Sequence, residues 1–244
     1  MEPVPLPTFP FDSGAFMPTT AQVLENLRRV ANDWWVLAVL WHGYFGVIVC
    51  ALLLGARPVR RTVGVALALP FLSVSVIAWL TGNLFNGTTF ALLTVGLVGI
   101  AVRLTPDPVR IGSRGSVAAG SIMVIFGWYY PHFLDAPSGV SFLYAAPTGL
   151  IPCPTLSIVI GVALVVSGLQ SRPWRLVVGI MGMSYGLFGA IRLGVNIDWT
   201  LVAGSLFILA TAGRKSLESV TEKRRIADPA AGAAPAKNVS QASR

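Results

Sequence analysis

Seven apolar segments, each close to the length of a membrane-crossing helix, divide this chain, and the arginines between them fall on alternate loops. Arg57, Arg60 and Arg61 follow the first segment, Arg103, Arg110 and Arg114 the third, and Arg172 and Arg175 the fifth. Those eight belong to a total of 18 Lys and Arg; seven more lie beyond the last segment, and only Arg28, Arg29 and Arg192 fall elsewhere. Basic residues beside short loops stay on the cytoplasmic side of a bilayer. The alternation therefore predicts an all-α integral membrane protein, a bundle of seven transmembrane helices with its N-terminus outside and its C-terminus cytoplasmic.

Composition agrees. Of 244 residues, 54% are apolar and 11% charged, against about 25% charged in soluble domains. Seven helices of about 20 residues use most of this length and leave no room for a soluble catalytic domain. A net charge of +8 would suit nucleic acid, but its carriers sit at helix ends and in the tail. The lipid bilayer, with an anionic inner leaflet, is the partner that explains them. Two cysteines, Cys50 and Cys153, make no disulfide framework. The amino-terminal residues do not read as a signal peptide, so the first span is expected to carry its own short amino terminus across.

Four regions follow. Residues 1–18 hold five prolines and are expected to be an extended extracytoplasmic segment. Residues 19–32 repeat apolar side chains at helical spacing (Val23, Leu24, Leu27, Val30) opposite Glu25, Arg28 and Arg29, which predicts a short interfacial amphipathic helix. Residues 33–212 form the membrane domain, with spans Trp34–Leu54, Thr62–Leu80, Thr88–Leu104, Ser116–Pro131, Pro154–Gln170, Trp174–Leu193 and Trp199–Ala212. Residues 213–244 are expected to be a cytoplasmic tail, largely disordered. Spans two and three, four and five, and six and seven each read as a hairpin. Each rises from an Arg (Arg61, Arg114, Arg175) and returns with an early Thr (Thr89, Thr155, Thr200) and a later Gly (Gly96, Gly161, Gly204), as parallel repeats in transporters do.

Chemistry concentrates in few places. Gly179, Gly182, Gly186 and Gly189 share one face of the sixth span, a spacing that lets another helix approach closely. The stretch from Trp128 through His132 and Asp135 to Tyr144, Pro152, Cys153 and Thr155 is apolar and broken by prolines. It is expected to fold back toward the membrane at its outer side, where non-helical backbone needs protein or water around it. Cys153 reads as a small residue at a tight turn, as a reactive nucleophile, or as a metal or haem ligand with His132, two donors where zinc wants three or four. His42, in the first span, is either a functional intramembrane residue or a neutral ring bonded to a carbonyl. Arg192 and Asp198 flank a short turn and are expected to pair, with an anion-binding Arg192 as the alternative. All three lysines (Lys215, Lys223, Lys237) lie in the tail, which excludes a retinal pigment. No phosphate-binding Gly-Lys loop is present, and no span carries a carboxylate at its middle.

Two short motifs, Thr19-Thr-Ala-Gln22 and Gly149-Leu-Ile-Pro-Cys-Pro-Thr155, resemble those of an uncharacterised family of bacterial multi-pass membrane proteins, domain of unknown function 6064. Its members open with a Thr-x-x-Gln helix and begin a later span with Gly-Leu-Pro-Cys-Pro-Thr; here Ile151 is inserted before the Pro-Cys-Pro-Thr element. The resemblance implies a bacterial plasma membrane location and no known activity. Three functional expectations remain. One is an outward-facing vestibule that binds or passes a small solute or ion, walled by His42, Trp79, Tyr130, His132, Cys153 and Arg192. The second is a structural subunit, or a homo-oligomer, packing through the Gly face of the sixth span. The third is a haem- or metal-dependent membrane enzyme using Cys153 and His132.

Overall fold

A computed structural model describes residues 19–135 and 138–213 in full and the backbone of residues 214–227. The Pro-rich segment 1–18 and the end of the tail, 228–244, lie outside the described residues. Among the described residues the helices are α1 (Thr20–Asp33), α2 (Trp35–Leu53), α3 (Arg60–Leu80), α4 (Leu84–Val102), α5 (Arg114–Tyr129), α6 (Phe142–Ala145), α7 (Pro152–Val165), α8 (Arg172–Leu187) and α9 (Trp199–Ala227). No strand occurs among them; one isolated bridge joins Val59 to Pro108. Five helical stretches are long and apolar enough to cross a membrane: Trp35–Leu53, Arg60–Leu80, Leu84–Val102, Arg172–Arg192 and Asn196–Gly213. α5, with 16 residues, and α7, with 14, reach only about 24 and 21 Å at 1.5 Å per residue, short of a hydrocarbon core of about 30 Å. The outer surface is greasy, as in Val47, Leu92, Val95 and Ile125, and a soluble monomer seldom exposes apolar area on this scale.

α1 begins with a reciprocal cap. The Thr19 hydroxyl accepts from the Gln22 N–H, and Gln22 Oε1 accepts from the Thr19 N–H at 2.8 Å, which satisfies two of the free donors at a helix start. Leu27 and Val30 turn inward against Phe133, Leu150 and Ile151. α2 lies at the periphery and is stitched to α3 where α3 is weakest. Pro70 has no N–H to give the Ala66 carbonyl, and the Tyr44 hydroxyl donates to that oxygen at 2.9 Å. Trp41 Nε1 donates to Ser73 Oγ beside it.

The remaining helices pack chiefly as three antiparallel pairs, α3 with α4, α5 with α7, and α8 with α9. These are the hairpins read from the sequence, although the repeated glycines differ in role. Gly161 lies against the Gly120 backbone, Gly204 against Met123, and Gly96 faces open space. α7 is the axis of the bundle: every residue from Pro154 to Leu164 is buried. It ends at Val165 rather than at Gln170. Ser167, Gly168, Leu169 and Gln170 all take left-handed backbone, with φ between 51° and 60°, and the Arg175 stem fills the space beside Gly168. At the far end α9 continues as backbone helix to Ala227, so the mixed-charge stretch Arg214 to Arg225 extends the last helix; its Lys, Arg, Glu and Leu are strong helix formers.

Both loop sets sort by charge. The 54–59, 103–113 and 166–171 connections meet at one end. There the Arg60 N–H bonds the Asp107 carbonyl, the Val109 N–H the Pro58 carbonyl and the Gly112 N–H the Val165 carbonyl. Arg60 also pairs with the Asp107 carboxylate, which the Thr105 hydroxyl and the Arg60 guanidinium hold below the usual carboxylate range. The opposite end carries α1, residues 130–135 and 138–151, and the turn before α9.

Candidate functional site

The turn between α8 and α9 builds the most unusual environment in the chain. α8 widens into a π turn over Phe188–Arg192, a rare form that is frequent at functional sites. Gly194 then reverses the chain with φ of 71°, and the Val195 N–H returns to the Gly189 carbonyl at 2.9 Å. The result turns Asp198 inward at the start of α9, only 1% exposed. Its carboxyl occupies the space a side chain at Gly189 would need.

Two other elements bring polar side chains toward that carboxyl. Tyr130, at the end of α5 and fully buried, donates its hydroxyl to Asp198 Oδ1 at 2.9 Å. Cys153, second residue of α7, lies nearby with its thiol directed at the Tyr185 carbonyl oxygen on α8, 3.9 Å away. Tyr185 in turn donates its hydroxyl to Asn86 Oδ1 on α4 at 2.8 Å. An isolated carboxylate withdrawn from water is costly unless a proton or a positive charge accompanies it. Among the described residues no Lys, Arg or His forms an ion pair with Asp198.

The expected Arg192–Asp198 pair is therefore absent. The π turn points Arg192 at α1, where its guanidinium donates to the Thr20 hydroxyl at 3.0 Å, while Asp198 faces the interior. The six residues expected to wall one vestibule do not line a single cavity, although the Tyr130 and His132 rings meet edge-on with centroids 6.4 Å apart. Tyr130 and Cys153 meet at Asp198. Trp79 is 49% exposed on the flank of the bundle and stacks over Gly87. His132 sits in an outer groove of about 340 Å³ lined by Ala21, Leu24, Arg28, Phe133 and Asp135, which none of the other five reaches. Partial burial pushes its imidazole below the ordinary value. His42 is buried between α2 and α5.

Beside the groove the loop is tied to α1. Arg28 pairs with Asp135 at 2.7 Å, and the Asn32 side chain bonds both the Phe133 carbonyl and the Asp135 N–H. The four glycines of the sixth span all face α9: Gly179 meets Leu209, Gly182 Ser205 and Gly186 Val202, while Gly189 makes room for Asp198. That face is filled from within the chain and offers no glycine surface to a partner. Among the described residues no group of three or more His, Cys, Asp and Glu gathers as a metal site.

The sequence reading missed Asp198 as an interior group. Its one visible signal was an acid flanked directly by the apolar Ile197 and Trp199, shortly after a Gly-rich helix. Fold and site together define an all-helical protein suited to a membrane, with a carboxyl, a phenol and a thiol gathered inside it. No protein-family model, curated protein or solved structure matches the chain.

Proposed function

We propose that this chain is a seven-span protein of a bacterial plasma membrane that binds a small cation, the proton included, at Asp198. The observation that carries the reading is a buried carboxyl that accepts from the Tyr130 hydroxyl and, among the described residues, pairs with no cationic side chain. Ionisable groups inside a membrane bundle mark ion and proton paths. Beside the Asp198 carboxyl the Tyr130 hydroxyl supplies a further oxygen, which lends itself to a dehydrated cation or a shared proton.

The two short helices do not argue against seven crossings. α7 is enclosed by its neighbours, so its length need not match the lipid, and both ends of the α5–α7 pair are met by other parts of the chain. The arginine-rich end supports a cytoplasmic carboxyl terminus and an outward-facing site. The Pro-Cys-Pro-Thr element behind the family resemblance begins α7 and contributes Cys153.

The test is the unfolding midpoint of purified protein in lipid nanodiscs, titrated with protons, with sodium or potassium, and with a bulky organic cation. Protons or a small metal cation should stabilise the native protein, and Asp198→Asn should remove the effect. An unchanged response in Asp198→Asn sinks the proposal. Orientation is checked with a membrane-impermeant thiol reagent on Glu25→Cys and Arg110→Cys in a chain lacking native cysteines. Labelling of position 25 alone from outside is expected; labelling of position 110 overturns the topology.

A further inference from the structure

Two stacked rings separate the outer groove from the buried carboxyl. Phe133 lines the groove beside His132 and Leu134. Its ring also stacks on that of Tyr130, with centroids 6.2 Å apart and planes 22° apart. Tyr130 is the residue that donates to Asp198, so the order from groove to carboxyl is Phe133, Tyr130, Asp198. The His132 ring meets Phe133 edge-on at 4.3 Å.

Phe133 holds this place with a backbone its side chain disfavours. Its φ is 71°, a region in which a bulky residue is an outlier. Such a conformation persists where the surroundings over-determine it, and here one side chain on α1 does most of that. Asn32 donates to the Phe133 carbonyl at 3.0 Å and accepts from the Asp135 N–H at 2.8 Å, gripping the chain on both sides of Leu134. A further bond to the Arg28 carbonyl at 2.7 Å fixes the amide itself. The Arg28–Asp135 pair lies outside it with more than half of each side chain exposed, where an ion pair contributes little. Beneath Phe133 the contacts are apolar, with Val30, Leu150 and Ile151, and they impose no direction on the ring.

We propose that residues 131–135 form a lid over the Asp198 site: Asn32 holds it shut, and the Phe133 ring is the plug that moves aside when a cation passes from the outer groove to Tyr130 and Asp198. Lifting the lid frees Phe133 from its left-handed backbone and parts its ring from Tyr130. The groove is charged as an entrance for cations. Its two carboxylates, Glu25 and Asp135, share the single guanidinium of Arg28, and the surplus negative charge attracts positive ions. As a route to Asp198 the lid rests on the cation-binding reading; its closure rests on Asn32 and Phe133 alone.

The native thiol of Cys153 reports on the space behind the lid, two residues beyond Ile151, which shares an apolar cluster with Phe133. With Cys50→Ser in the background it is the one thiol left. In lipid nanodiscs its modification by a small cationic methanethiosulfonate reagent should be slow. Asn32→Ala deletes both bonds across Leu134 and should speed the reaction about tenfold by raising the open population. Phe133→Ala, which removes the plug, should speed it at least as much. Arg60→Ala breaks the ion pair with Asp107 at the opposite end and should leave the rate unchanged. A rate already fast in the parent, indifferent to Asn32→Ala and Phe133→Ala, or raised equally by all three variants overturns the lid, whatever Asp198 binds. Repeating the comparison in Asp198→Asn keeps the two readings apart: a rate that still depends on the lid there upholds the lid, even where the melts show no cation response.

Discussion

Gly161→Ala tests whether the short α5–α7 pair is fixed by backbone contact. A Cβ at this position would lie 2.6 Å from the Val124 nitrogen and 2.7 Å from the Gly120 oxygen. Both are main-chain atoms of a helix and have no rotamer with which to yield. Ordinary contact lies near 3.5–4.0 Å, so the two helices must part by about 1 Å. Overpacking of this kind costs about 1–3 kcal/mol, against which alanine recovers about 1 kcal/mol of helix propensity. A net loss of up to about 2 kcal/mol remains, lowering the midpoint by up to roughly 8 °C for a chain of this size. Gly99→Ala is the internal control: it sits on the exposed side of α4 with nothing within 4 Å, so only the propensity gain of up to about 1 kcal/mol applies. Thermal unfolding in nanodiscs, followed by far-ultraviolet circular dichroism, should move the two variants in opposite directions. Equal shifts of the same sign would refute the claim that main-chain contact sets this pair.

Tyr130→Phe keeps the ring packed against Phe126 and Phe133 but deletes the 2.9 Å bond to Asp198; a stability loss of about 1–3 kcal/mol is expected, and a neutral result would mean the bond is not formed. Ser205 Oγ is fully buried without a partner, so Ser205→Ala should be neutral or stabilise by up to about 1 kcal/mol; a clear loss in the same melt would show a hidden bond. Burial holds the His132 imidazole below its ordinary value, about 6.5, so near and below that pH the unfolded chain binds more protons there than the folded one. Stability should therefore be full above about pH 6.5 and fall as the pH drops toward the lowered value. His132→Gln should flatten that slope in midpoints measured across the range, and an unchanged slope assigns it elsewhere.

What could be read in advance was what depends on local pattern. Thr19 and Thr20 mark the start of α1, Pro154 marks the first turn of α7, which begins two residues earlier at Pro152, and the arginine loops share one end of the bundle because neighbouring helices alternate in direction. Asp198 escaped because its partners are distant: Tyr130 lies 68 residues away, and nothing near Asp198 in sequence specifies a phenol. Arg192 looked like its natural mate at six residues, but a π turn and a left-handed Gly194 rotate the two side chains apart. The glycines of the sixth span were legible as a close-approach face, yet spacing does not say whose helix approaches, and here it is the next one in the chain. The break after Val165 falls at Ser167 and Gly168, a turn signal that the apolar residues before it and Leu169 after it masked, since Leu169 suits a helix as well as the left-handed turn it enters.

The enclosure of α7 bears on how such a protein is assembled. A helix surrounded on every side cannot be inserted into a finished bundle; its neighbours must gather around it. Chain order supplies that sequence of events. α3 and α5 are made before α7, and α8 and α9, which close over it, are made afterwards. While the newly made α7 waits beside α5, its contact with lipid is temporary, and its apolar side chains make that wait tolerable. A change that delays α8 or α9 would prolong the exposure of Thr155 and Ser157, two polar groups that the finished fold hides.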